Sequence, residues 1–325
     1  MKTIAILATG GTIAGSGDIG KSAGYQAGQM DVEDIVKSIP KIEQLANLKM
    51  IQLCNVDSND VGLEKWLAIR KVCQELEEDK DIDGIVITHG TDTLEETAFF
   101  LNLTLSNHKP VVLTGSMRPA TATSADGPMN LYQAVALASS KEAEEAGVMA
   151  VFSDTIYSGR DLQKTNSYKT DAFKMGEFGA LGYMQDDQIY LLNEPHKRHT
   201  FQTIFSKLDI ETLPNVGIYY VHSDSDPDLL KWMLERYDGV IMAGTGAGNY
   251  SNSIKEILNT DENKAIVVRA SRLLEGAVFE SDVFDPKGRT VPGYKFSPQK
   301  ARILLMLSLV LTSDRNKIAR IFKEY

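Results

Sequence analysis

The stretch Gly84-Ile-Val-Ile-Thr-His-Gly-Thr-Asp-Thr-Leu-Glu-Glu96 joins a short apolar run to a polar turn and then to a helix start. Residues 84–87 read as a buried strand, because the run is brief and bounded by glycine and hydroxyl residues. Thr93 and Glu96 stand at capping-box spacing, so Thr93 is expected to cap the following helix. Thr91 and Asp92 are then left on the turn before that helix, where backbone amides favour an anion. The pattern recurs. Apolar runs at 3–8, 110–113, 147–152 and 239–242 lead into Thr9-Gly-Gly-Thr12, Thr114-Gly-Ser116, Ser153-Asp154 and Ala243-Gly-Thr-Gly246, and further runs lie at 216–221 and 265–268. Helix-period stretches such as Trp66, Ile69, Cys73 and Leu76 separate most of them. Strands alternating with helices predict an α/β fold built on a mainly parallel sheet flanked by helices, with ligands beyond the carboxyl ends of its strands.

A chain of 325 residues holds one large or two ordinary domains. Residues 191–215 are polar and interrupted by Pro195, His196, His199 and Pro214. They read as a linker between a larger N-terminal domain, 1–190, and a smaller C-terminal α/β domain, 216–325. The 43% apolar and 24% charged composition is that of a soluble globular protein. A net charge of −10 with no clustered basic stripe argues against nucleic acid as a partner. No apolar run is long enough to span a bilayer, so no membrane partner is expected. The opening Met-Lys-Thr-Ile-Ala-Ile-Leu-Ala-Thr-Gly-Gly reads as a first core strand rather than a signal peptide. Cys54 and Cys73 cannot build a disulfide framework and read as packing residues. They favour a reducing, cytoplasmic setting over a mature secreted or periplasmic form, which stays open.

Gly15-Ser-Gly-Asp-Ile-Gly-Lys-Ser22 matches a phosphate-binding loop letter for letter. That motif must join a strand directly to a helix, and here Thr-Gly-Gly-Thr-Ile-Ala intervenes while glycines follow. The stretch is read instead as part of a mobile polar loop from about Gly15 to Gly28, a lid carrying Tyr25. Asp224, Asp226, Asp228 and Glu235 sit at calcium-loop spacing, but Leu229 stands where the turn needs glycine. An acidic helix start is the better reading. His196 and His199 lack a third ligand. No metal and no cofactor are expected.

Taken in order, five motifs resemble the bacterial-type L-asparaginase and glutaminase-asparaginase family. They are Ala8-Thr-Gly-Gly-Thr-Ile-Ala-Gly15, Ile87-Thr-His-Gly-Thr-Asp-Thr-Leu-Glu-Glu-Thr97, Ser124-Ala-Asp-Gly-Pro-Met-Asn-Leu131, Gly159-Arg-Asp-Leu-Gln-Lys-Thr-Asn166 and Ser297-Pro-Gln-Lys-Ala-Arg-Ile-Leu-Leu305. The resemblance covers essentially the whole chain. It implies hydrolysis of L-asparagine to L-aspartate and ammonia through an acyl-enzyme. Thr12 matches the nucleophile and Tyr25 its assisting tyrosine. Thr91, Asp92 and Lys164 match the second triad. A threonine hydroxyl is a poor nucleophile until a neighbour accepts its proton, which gives those groups their purpose. Backbone N–H groups around Gly11 and Ser116 are expected to meet the developing oxyanion. Substrate binding is carried to Asp57, Ser58 and Asn59 and, in the second domain, to Asn249 and Asp282. Asn59 and Asp282 are each one methylene shorter than the family's usual residue, with Glu280 as a less favoured substitute for Asp282. A homotetramer with sites shared between subunits is implied. L-glutamine as a second or preferred substrate, and a catalytically silent amino-acid-binding relative, stay open as alternatives.

Overall fold

The computed structural model describes the chain apart from residues 22, 23, 25, 27 and 261–263. Its contacts divide it into two compact units, Met1–Asp209 and Ile210–Tyr325.

The first unit contains strands β1 (Thr3–Gly10), β2 (Asn47–Val56), β3 (Gly84–Thr88), β4 (Val111–Thr114), β5 (Val148–Phe152), β6 (Thr155–Ser158), β7 (Gln163–Lys164), β8 (Phe173–Lys174), β9 (Gly182–Gln185) and β10 (Gln188–Leu191). Its helices are α1 (Val32–Lys37), α2 (Leu63–Glu78), α3 (Leu94–Thr104) and α4 (Gly127–Ala138). Eight strands form one sheet in the order β10-β9-β6-β5-β4-β3-β1-β2, and β7 and β8 form a separate ribbon. Strands β2, β1, β3, β4 and β5 pair in parallel, while β6, β9 and β10 add antiparallel pairs at one edge. Strands β3, β4 and β5 are buried along their whole length, which is why they read as unbroken apolar runs rather than alternating ones. Helices α1 and α4 cover one face through Ile35, Val36, Leu131 and Val135 against Ile4, Ile6, Val86 and Val112. Strand β2 lies at the sheet edge with much of its length exposed. It therefore carries Asn47, Lys49, Gln52 and Asn55, and no apolar run announces it. After β10 the chain packs on α3, where the Thr203 hydroxyl donates to the Leu103 carbonyl at 2.5 Å.

The second unit holds β11 (Val216–Tyr220), β12 (Gly239–Gly244), β13 (Ile266–Ser271) and β14 (Thr290–Pro292), all parallel in that order. Its helices are α5 (Pro227–Arg236), α6 (Asn252–Leu258), α7 (Pro298–Leu311) and α8 (Arg315–Glu324). Leu230, Met233, Leu234 and Ile254 of α5 and α6 bury Val240, Met242 and Val267. Helix α7 begins with Pro298 at its first position, where the missing N–H costs nothing. The acidic run near Asp224 is a helix start: the Asp226 side chain accepts the Asp228 N–H at 2.9 Å and caps α5. Among the described residues no group of three His, Cys, Asp or Glu side chains could hold a metal, and no helix is long and apolar enough to cross a membrane.

Candidate active site

The site is assembled from loops at the carboxyl ends of β1, β2, β3 and β4. Glycines let these loops touch. A Cβ on Gly11 would lie 2.4 Å from the Gly90 nitrogen, and one on Gly90 would lie 2.9 Å from the Ser58 hydroxyl oxygen. A Cβ on Gly115 would fall 2.2 Å from the His89 carbonyl oxygen. The backbones of the Thr-Gly-Gly-Thr turn, the Thr-His-Gly-Thr turn and the Gly-Ser turn are thus in direct contact, with Ser58 against them. Gly11 also adopts φ +84°, which favours glycine on conformational grounds. Thr12 opens the short helical turn Thr12–Ala14 and is buried, as are Ser58, Thr91 and Ser116.

Lys164 reaches this cluster from the β7 ribbon. Its Nζ donates to Thr91 Oγ1 at 2.9 Å and to Asp92 Oδ1 at 2.5 Å. The ammonium end is enclosed and the carboxylate is open: the two side chains are 14% and 58% exposed. A buried hydroxyl, a lysine nitrogen and a solvent-facing carboxylate in one hydrogen-bonded chain can pass a proton. The structure therefore brings Gly11, Thr12, Ser58, Thr91, Asp92, Ser116 and Lys164 into one neighbourhood. Asp57 and Asn59 flank Ser58 on a short turn and are turned toward one another, with Asp57 Oδ1 accepting from Asn59 N at 2.9 Å and Asn59 Nδ2 at 2.7 Å. Tyr25 lies outside the described residues.

The Gly11 N–H donates to the Val56 carbonyl at 3.0 Å, across the β1–β2 join. One expectation is corrected. Thr93 does sit at the start of α3, but its side chain caps nothing. Its hydroxyl donates to the Ser58 carbonyl at 2.6 Å, and no N–H of the first turn of α3 reaches its oxygen. That bond ties the Ser58 turn to the Thr91–Asp92 turn.

Among the described residues the phosphate-loop match has no matching structure. The 3-10 turn Thr12–Ala14 follows β1, and the next helix is α1. Ser16 and Gln26 exchange paired backbone bonds. Gly20 N–H bonds to the Thr121 carbonyl and the Thr123 hydroxyl to the Gly20 carbonyl. Lys21 pairs with Asp18 in solvent.

Several supporting groups escaped the sequence reading although they lie inside the quoted motifs. The Asp126 carboxylate accepts from Met117 N and Arg118 N, both at 2.9 Å, and Asn130 Nδ2 donates to the Gly115 carbonyl at 3.0 Å. These bonds pin the loop bearing Ser116. In the second unit Asn249 sits in a tight turn closed on Thr245, with its amide oxygen buried and unpartnered among the described residues. Asp282 is exposed. Buried Arg269 of β13 donates to the Phe279 carbonyl at 2.5 Å and to the Ala247 carbonyl at 3.3 Å, holding the loops that carry these two residues. Burial pushes its guanidinium pKa down.

His89 lies beneath the site, fully buried. Its Nδ1 is 2.7 Å from the Gly90 carbonyl and its Nε2 is 2.9 Å from Thr97 Oγ1. Thr97 Oγ1 accepts from Trp66 Nε1 at 2.9 Å. These partners select one neutral tautomer, with Nδ1–H donating to the carbonyl and Nε2 accepting from Thr97. Burial pushes the imidazole down to about 4 from 6.5. Above 6.5 it is neutral folded or unfolded, and stability is full. Below 6.5 the unfolded chain takes up a proton that the folded site refuses, so stability falls as pH drops toward 4. The displacement corresponds to roughly 3 kcal/mol. Buried His199 shifts in the same direction. Melting temperature is expected to decline between pH 6.5 and 4, and less steeply in His89→Asn. Equal slopes in the two proteins would remove His89 as a cause.

The fold is a two-unit α/β architecture, and hydroxyls gather at the carboxyl ends of its parallel strands beside a lysine–carboxylate pair. The chain belongs to the asparaginase family: residues 3–197 match the family's "Asparaginase, N-terminal" and residues 215–322 its "Glutaminase/Asparaginase C-terminal domain". It is 42% identical to L-asparaginase 2 of Escherichia coli K12, over 100% of this chain and 94% of that protein. It is 40% identical to a glutaminase-asparaginase of Pseudomonas fluorescens biotype A, over 100% of this chain and 91% of that protein. A crystal structure of the probable cytoplasmic L-asparaginase from Campylobacter jejuni superimposes with TM-score 0.94 at 44% identity, covering both chains completely.

Proposed function

We infer that the protein is an L-asparaginase, hydrolysing L-asparagine to L-aspartate and ammonia, with Thr12 as the nucleophile. The observation that carries the reading is the Lys164–Thr91–Asp92 chain set against the turn that bears Thr12. In this mechanism Thr12 Oγ1 attacks the side-chain amide carbon, and its proton passes to Tyr25 or into the Thr91–Lys164 chain. The tetrahedral oxyanion is met by the Ser116 backbone N–H. The C–N bond then breaks, and the departing nitrogen takes up a proton and leaves as ammonia. Water, deprotonated by the Thr91–Lys164 pair, attacks the resulting Thr12 ester and releases aspartate. Ser58 binds the α-carboxylate from its buried position, with Asp57 and Asn59 shaping that turn. Asp92, the exposed member of the chain, faces the α-ammonium.

The first unit holds the nucleophile and the lid, and the second unit supplies Asn249 and Asp282 to the site of a neighbouring subunit. This assignment rests on the family resemblance and on Arg269 holding both loops. It requires a homo-oligomer, and sedimentation is expected to report the mass of four chains; a monomer with full activity would exclude it. A cytoplasmic location is supported by two free cysteines with no disulfide between them. Recovery of the protein in the periplasmic fraction of its host would count against it.

Ammonia release measured with L-asparagine and L-glutamine side by side tests the function. Asparagine is expected to give the higher kcat/KM. Faster turnover of glutamine would move the protein to the glutaminase-leaning reading, and ammonia from neither would sink the amidohydrolase assignment.

A further inference from the structure

We propose that Glu95 is a positioning residue for Lys164, holding the peptide of the lysine so that its side chain meets Thr91. The inference rests on the assignment of Lys164 to proton transfer. Lys164 stands on a ribbon only two residues long, in which Gln163 pairs with Lys174 and Lys164 with Phe173. A two-stranded ribbon of that length does not fix its own position. The Lys164 N–H donates to Glu95 Oε2 at 2.8 Å, so the ribbon is tethered to α3 through a side chain. Glu95 lies in the first turn of α3, three residues after Asp92. Lys164 is therefore gripped twice by one short segment: its backbone by Glu95, its ammonium by Asp92 and Thr91.

An acidic residue in a first helical turn commonly serves only the helix dipole, and such residues stay in water. Glu95 does not: it is 5% exposed. A buried carboxylate is costly unless hydrogen-bonded, and one of its bonds here is to the residue whose placement the chemistry requires. Displacing a reacting group by about 1 Å costs on the order of 10²-fold in rate, which is the scale at stake.

A double-mutant cycle on the full-length protein tests this. Glu95→Ala is expected to lower kcat by about 30- to 100-fold with KM changed less than about threefold. Glu95→Gln, which keeps an acceptor oxygen, is expected to recover most of the loss. In a Lys164→Met background the same Glu95→Ala change is expected to cost less than about threefold, because the group it positions is gone. If alanine prevents folding, Glu95→Asp, whose carboxylate is drawn back by one methylene, gives the same comparison. A merely structural Glu95 would lower kcat equally in both backgrounds, which would overturn the proposal while leaving Lys164 in place. Wild-type kcat in Glu95→Ala would overturn it too. Near-wild-type kcat in Lys164→Met would instead remove the assignment on which the proposal stands.

Discussion

Replacing Thr12 with alanine is expected to lower kcat by on the order of 10⁴-fold or more while the protein stays folded. Loss of an attacking hydroxyl removes the bond-forming atom, and the residual rate then reflects only binding and oxyanion stabilisation. The substitution deletes one hydroxyl and one methyl from a short turn closed by the Gly15 N–H to Thr12 carbonyl bond, and that backbone bond survives it. The structural cost is about 1 kcal/mol, so melting temperature and circular dichroism should change little. Mass spectrometry of the wild-type protein quenched during turnover is expected to find the aspartyl ester on the peptide containing Thr12. An adduct found on Thr91 and never on Thr12 would reverse the roles of the two threonines.

Lys164→Met is expected to lower kcat by about 10²- to 10⁴-fold, the range of a positioned proton-transfer group. Methionine keeps most of the unbranched stem and removes the ammonium, so packing is largely preserved. Of the two partners it abandons, Asp92 is more than half exposed and Thr91 is buried. Water takes over the solvation of Asp92 and the lost Thr91 bond costs about 1 kcal/mol, so the loss should appear mainly in rate. Lys164→Arg is not expected to rescue, since a guanidinium does not give up its proton. A Lys164→Met enzyme keeping a tenth or more of wild-type kcat would exclude the lysine from the chemistry.

The resemblance and the motifs exposed most of the chemical groups because those groups sit where strands end, and strand ends are marked by glycine and threonine in the sequence. The parallel core was legible for a related reason: strands buried on both faces show as unbroken apolar runs. Strand β2 was not, because an edge strand carries lysine, asparagine and glutamine. The outer hairpin β9–β10 was hidden likewise, since alternating burial leaves Tyr183 and Tyr190 exposed.

By itself the sequence determined the α/β class, the rejection of the phosphate loop and the set of residues from which a site could be made. Those follow from local order: which residue precedes which, and whether a helix can start. Only the tertiary structure decided which backbone and hydroxyl groups are already engaged. The Gly11 N–H donates to Val56, Thr93 bonds Ser58 instead of its own helix, and Glu95 reaches a residue 69 positions away. A hydrogen bond is settled by which acceptor lies about 3 Å off in the right direction, and chain spacing does not fix that distance once loops from four strands converge.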